Sequence, residues 1–99
     1  MHDEVVHFIH QFKSSSQAVI EKLFLDGYCY YFAVILQERF GGEILYDTID
    51  GHFVTLIRGG LYDIRGCVSN HYESASYLLT KKSWSNSPRI VEGCILKLD

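Results

Sequence analysis

Val5, Ile9 and Phe12 recur at helical spacing near the start of the chain, and Val19, Ile20, Leu23 and Phe24 form a second apolar set beyond the serines at 14 to 16. This pattern predicts two short helices, or one bent helix, across residues 3 to 24. Ser14 followed three positions later by Gln17 has the form of a capping box, which favours a fresh helix start there. Asp26 and Gly27 can cap a third helix over about 28 to 40, and Gly41-Gly42 offers its left-handed stop. The first nine positions of that helix, "YCYYFAVIL", are apolar or aromatic all round. It is therefore expected to be a long central buried helix, with Gln37, Glu38 and Arg39 reaching solvent in its last turns.

Beyond Gly42 the period changes. "EILYDTI", "HFVTLIR" and "LYDIRGCV" are rich in β-branched and aromatic residues and are separated by Asp50-Gly51 and Gly59-Gly60, which predicts a three-stranded antiparallel meander. "ESASYLL" is expected to form a short helix, "KKSWSNSP" a polar loop and "RIVEGCILKL" a final strand. The sum is an α+β fold, helices first and a small antiparallel sheet after, with the apolar helix packed on one sheet face.

Composition narrows the functional classes. The 99 residues suit one domain; 47 % are apolar, 14 % aromatic and only one is proline, as in a globular chain rather than a disordered one. A net charge of −3 with no run of Lys or Arg lacks the electrostatic footprint of a nucleic-acid binder. "MHDEVVHFIH" carries acids where a signal peptide has bases, and no apolar stretch approaches the roughly 18 residues of a membrane span. A cytoplasmic protein is expected. Three well-separated cysteines are read as free thiols of a reducing compartment rather than a disulfide framework.

One of them stands at a helix start. A cysteine in the first helical turn lies beside unpaired backbone N–H groups and the positive end of the macrodipole, both of which favour the thiolate. With Asp26 as cap, Cys29 falls at the third helical position. Free cysteine is also among the most buried residue types, so this position alone equally suits a core residue. A catalytic thiol needs an imidazole in reach and a group to orient it. Of the five histidines, His2, His7 and His10 lie in a helix with a solvated face and His71 in the polar "SNHYES". His52 opens a strand beside a turn, where a ring projects from a rigid support.

Asp63, embedded among Leu61, Tyr62 and Ile64, is the candidate third group. Whether it meets His52 depends on hairpin register. A Gly59-Gly60 loop pairs Asp63 with Leu56, four residues from His52 and out of reach. An Arg58-Gly59 loop makes Asp63 the diagonal neighbour of His52, roughly 7 to 8 Å away by backbone spacing. A surface pairing of Asp63 with Arg65 or Arg58 is the alternative.

In this order, Cys29 at a helix head, His52 on the following strand and Asp63 on the next resemble a minimal papain-like cysteine peptidase or amidase core. The chain is also similar to short uncharacterised phage and bacterial proteins carrying "G-x-C-Y-x-F-A-x-x-L", "G-H-F-V" and "Y-Y-D-I-x-G" blocks, which read here "GYCYYFAVIL", "GHFV" and "LYDIRG" across about residues 27 to 66. The resemblance implies Cys29 as nucleophile, His52 as general base and Asp63 as orienter, acting on an amide or thioester without a cofactor. "KLFLDGY" upstream holds no glutamine, so the oxyanion would rest on the Cys29 backbone N–H and a tyrosine hydroxyl.

Cys29, Cys67, Cys94, His52 and His71 show no close ligand pair, so a metal site is not expected, and the glycine pairs fit turns better than a phosphate loop. The competing function is a non-catalytic protein that blocks a host enzyme or defence complex. Tyr28, Tyr31 and Trp84, rimmed by Glu43, Asp47 and Asp50, would then supply the interface, and an exposed edge strand would offer a route to a dimer.

Overall fold

The structure, a computed structural model, describes residues 3–14, 19–20, 22, 28–72 and 78–90. Helix α1 spans Asp3–Phe12 and α2 spans Cys29–Phe40. They are followed by strands β1 (Glu43–Asp47), β2 (His52–Ile57), β3 (Gly60–Asp63) and β4 (Gly66–Cys67), and by a 3-10 turn at Ser69–His71. The short strand β5 (Leu78–Leu79) and the helical turns α3 (Lys81–Trp84) and α4 (Pro88–Ile90) complete the described elements. The five strands make one antiparallel sheet in the order β4-β3-β2-β1-β5, so the fold is α+β as the periodicity change indicates.

Strand alternation divides the core between two faces. On one face, Ile44 and Phe53 pack against Cys29 and Ala33 of α2, while Ile57, Tyr62 and Ile64 meet Phe32 and Leu36 together with Val5 and Ile9 of α1. On the other, Leu45, Val54, Leu61 and Val68 form a separate cluster. Helix α2 is not the all-round buried rod that its composition suggests. Its buried residues are Cys29, Phe32, Ala33 and Leu36, a stripe at helical spacing, whereas Tyr28, Tyr31, Glu38 and Arg39 are exposed. A single sheet covers a single face of a helix, and hydrophobic residues beyond that stripe reach the surface.

Turn chemistry redraws the strands. The Asp47 carboxylate accepts the N–H groups of Ile49 and Asp50 at 2.9 and 3.1 Å, which ends β1 at Asp47 instead of carrying "EILYDTI" to Ile49. Ile57 pairs with Gly60, so Arg58-Gly59 form the two-residue loop; both have positive φ, 48° and 89°, as a type I′ turn requires. "LYDIRGCV" is not one strand. The Asp63 carboxylate accepts the Arg65 N–H at 2.8 Å, Gly66 takes φ 108°, and the chain reverses over Ile64-Arg65 into β4.

Five further expectations change or fall outside the described residues. Leu78-Leu79 pair with β1 as strand rather than helix, the remainder of "ESASYLL" lying outside the described set. "KKSW" is helical rather than loop because Trp84 buries its ring and donates its Nε1–H to the Ile44 carbonyl at 3.0 Å. Arg89 and Ile90 lie in α4 rather than a strand, and the rest of that segment, with Cys94, is outside the described residues. The same holds for Gln17 of the capping box and for Asp26-Gly27.

Candidate active site

Buried Thr55 places the head of α2. Its hydroxyl donates to the Ala33 carbonyl at 3.2 Å, tying the middle of β2 to the first turns of the helix. From Ala33 back to Cys29 a helix recedes about 6 Å, and from Thr55 back to Phe53 a strand recedes about 6.8 Å. The two paths match, and Cys29 arrives beside Phe53, whose backbone N–H bonds the sulfur.

Tyr28 is the N-cap, so Cys29 occupies the first helical position and not the third. The Phe32 N–H to Tyr28 carbonyl bond, 3.1 Å, opens the helical ladder. The first turn carries no acidic residue and Tyr28 makes no side-chain cap, so among the described residues the Cys29 thiol is the anion-forming group at the dipole's positive end. Cys29 is 8 % exposed, packed in the cluster of Ala33, Ile44, Phe53, Trp84 and Ile90. A cavity of about 280 Å³ lined by Tyr46, Thr48, Ser87, Arg89 and Ile90 borders that cluster through Tyr46 and Ile90.

Continuing the β2–β3 register by one residue sets Asp63 across from Val54 and diagonal to His52 on the same face. The Arg58-Gly59 loop thus brings the pair together: His52 Nε2 and Asp63 Oδ2 lie 2.8 Å apart, both residues buried. With Nε2 committed to Asp63, Nδ1 is the ring nitrogen left for Cys29. Burial drives the Cys29 thiol up, but the hydrogen bond from His52, the Phe53 and Tyr30 N–H groups and the imidazolium charge outweigh it, and its pKa is lowered. Burial drives His52 down, yet its hydrogen bonds to Asp63 and Cys29 and their charges raise it to about 9. The shifts agree: each favours an imidazolium beside a thiolate.

Asp63 is ion-paired with Arg65 as well as bound to His52. Burial raises its pKa, whereas His52 and the side-chain and backbone donors of Arg65 lower it to a net depressed value. Oδ2 accepts Arg65 Nη2 at 2.6 Å and Nε at 3.1 Å, and Oδ1 accepts Nε at 3.2 Å. The surface ion pair and the His52 contact, alternatives in the sequence, coexist on one buried carboxylate. Beside it, Tyr72 donates its hydroxyl to buried Asp47 at 3.0 Å, and a cavity of about 140 Å³ lies between Asp47, Ile49, Asp50, Arg65, His71 and Tyr72. Tyr72 carries no signal in the sequence and Asp47 was expected only on an interface rim, although an aspartate two residues before an Ile-Asp-Gly turn is a signal for a carboxylate-closed turn.

Among the described residues, no group of three or more His, Cys, Asp or Glu could hold a metal ion, and no helix is long and apolar enough to cross a membrane. Of the imagined aromatic interface, Tyr28 and Tyr31 are exposed, but Trp84 and Asp47 are buried in the core and cannot contribute.

Residues 5–92 match the model of a family described as phage YunG-like protein. Searches of curated proteins and of solved structures find no match to the chain.

Proposed function

This chain belongs to the phage YunG-like protein family, and we propose that it is a cysteine-dependent hydrolase or acyl transferase of papain-like type. Cys29 is the nucleophile, His52 the general acid and base, and Asp63 the group that orients and charges His52. The observation that carries this reading is the His52 ring bound to Asp63 at 2.8 Å through Nε2 and interacting with Cys29 on its other side.

The Cys29 S–H proton passes to His52 Nδ1, and the sulfur pair forms a bond to the carbonyl carbon of an amide or thioester. The carbonyl π pair moves to oxygen, where N–H groups of the first α2 turn can receive it. Collapse of that oxyanion breaks the bond to the amine or thiol, which leaves with the His52 proton. Water, or an acceptor amine, then gives its proton to His52 and attacks the acyl-sulfur carbon, and Cys29 is released. The cavity lined by Tyr46, Thr48, Ser87, Arg89 and Ile90, which borders the cluster holding Cys29, is the space assigned to the acyl group in this reading.

Reaction with iodoacetamide at about pH 6 tests the central claim, with peptide mapping to assign each adduct. Cys29 should react faster than exposed Cys67, and His52→Ala should remove the difference. Thiolate ultraviolet absorbance, titrated in the wild type and in Cys29→Ala, checks the same point independently of access. A Cys29 that titrates like an ordinary thiol overturns the reading and leaves the partner-blocking role as the function to pursue.

A further inference from the structure

The side chain of Arg65 makes more bonds to Asp63 than His52 does, yet the reaction above assigns it nothing. It approaches the carboxylate side-on, with Nη2 and Nε on Oδ2 and Nε on Oδ1, while its own backbone N–H also holds Oδ1. Both oxygens are therefore occupied, and the carboxylate cannot rotate without breaking several hydrogen bonds. The resulting line runs from helix head to hairpin as thiol, imidazole, carboxylate and guanidinium. We propose that Arg65 is a positioning residue of this site, holding Asp63 ionised and turned so that Oδ2 faces His52. The proposal rests on the catalytic reading of Cys29, His52 and Asp63.

The physical need comes from burial. Asp63 is 3 % exposed, where an ionised carboxylate with a single partner is costly. Without the guanidinium, the buried Asp63 carboxylate takes the imidazolium proton, leaving a carboxylic acid beside a neutral imidazole. A neutral His52 offers no charge to the thiolate, so Cys29 takes up a second proton from solvent. With Arg65 present, charges alternate along the line and each stabilises its neighbour. Other titratable groups surround the pair: Cys29 from α2, Asp47 from β1, Asp50 from the β1–β2 turn, and His71 and Tyr72 from the 3-10 turn and its exit. Asp63 first, and Asp50 with it, keep Arg65 charged, and the Asp47 carboxylate is engaged by Tyr72 and the turn N–H groups.

Arg65→Ala is a suitable probe because the turn depends on the backbone N–H of residue 65, which alanine retains, and because the arginine side chain is 39 % exposed. The Cys29 alkylation rate should be followed against pH in wild type, Arg65→Ala, Arg65→Lys, Asp63→Asn and His52→Ala, with circular dichroism confirming each fold. Arg65→Ala should slow Cys29 about tenfold near pH 6, a shift of about one pH unit upward in its profile. Arg65→Lys should restore only part of the rate, since a lysine supplies charge without the fork. If Arg65→Ala superimposes on wild type while Asp63→Asn and His52→Ala shift the profile, the positioning role is wrong and the catalytic reading stands. If none of the variants moves it, the catalytic reading itself fails.

Discussion

At the scale of single residues, Cys29 and His52 perturb one another in opposite senses, which has a consequence for stability. His52 is raised from 6.5 to about 9, so its contribution is fully present below pH 6.5 and is lost as pH rises through about 9. Cys29 is lowered, so its contribution is present above the ordinary thiol value and is lost as pH falls through the folded one. As pH falls below about 9 the two run against each other, so the wild-type stability should vary less with pH there than either group alone would make it. Cys29→Ala removes one side of that balance. Urea midpoints of this variant should fall as pH rises above 6.5, because Asp63 still holds the imidazolium, and the fall should vanish when Asp63→Asn is added. A level profile in Cys29→Ala would mean that Asp63 alone does not raise His52. At this scale the candidates Cys29, His52 and Asp63 were legible because each is a chemically capable residue in an otherwise apolar stretch. Arg65 was legible only as a surface partner of Asp63 in competition with His52, and Asp47 only as a surface acid, because an arginine or an aspartate near a turn is ordinary until its partners are in place.

At the scale of elements, the site depends on a hairpin loop one residue earlier than the glycine pair suggests. Had Gly59-Gly60 turned the chain, Asp63 would face Leu56 and His52 would lack its acid. Arg58 instead accepts φ 48°, an unfavourable backbone conformation for a long L side chain. Asparagine enters that conformation more readily and is preferred ahead of glycine in type I′ turns. Arg58→Asn should therefore raise stability by about 0.5 kcal/mol after allowing for its exposed ion pair with Glu4, which is worth little. A shift of the urea midpoint to higher concentration, with unchanged Cys29 reactivity, checks this. A lower midpoint would show that the ion pair outweighs the turn. The helices and the onset of the sheet were readable from periodicity, whereas strand ends were not. Asp47 and Asp63 each close a turn by accepting N–H groups two residues onward, a local competition with the strand ladder that hydrophobic pattern does not register.

At the scale of the molecule, the sheet separates two apolar clusters, and the line from Cys29 to Arg65 passes from the helix-covered face to the other at the strand ends. Trp84 braces the first of these faces: it is 2 % exposed, stacks edge-on with Phe53 and Tyr30, and bonds the Ile44 carbonyl. Trp84→Phe keeps most of the ring contact but strands that carbonyl, and should cost about 1 to 2 kcal/mol. Trp84→Ala should cost about 3 to 5 kcal/mol. Equal urea midpoints for the two variants would show that the ring's packing contributes little. By itself the sequence determined the α+β class, the turns at Asp50-Gly51 and, to within a residue, at Arg58-Gly59, and the candidates Cys29, His52 and Asp63. Those follow from side-chain periodicity and residue type, which are local properties. Only the tertiary structure decided that α2 buries one stripe, that Trp84 belongs to the core, and that His52, Asp63 and Arg65 share a buried carboxylate. Each of these depends on which distant backbone lies alongside, and a one-residue change of register or a single buried hydrogen bond decides it.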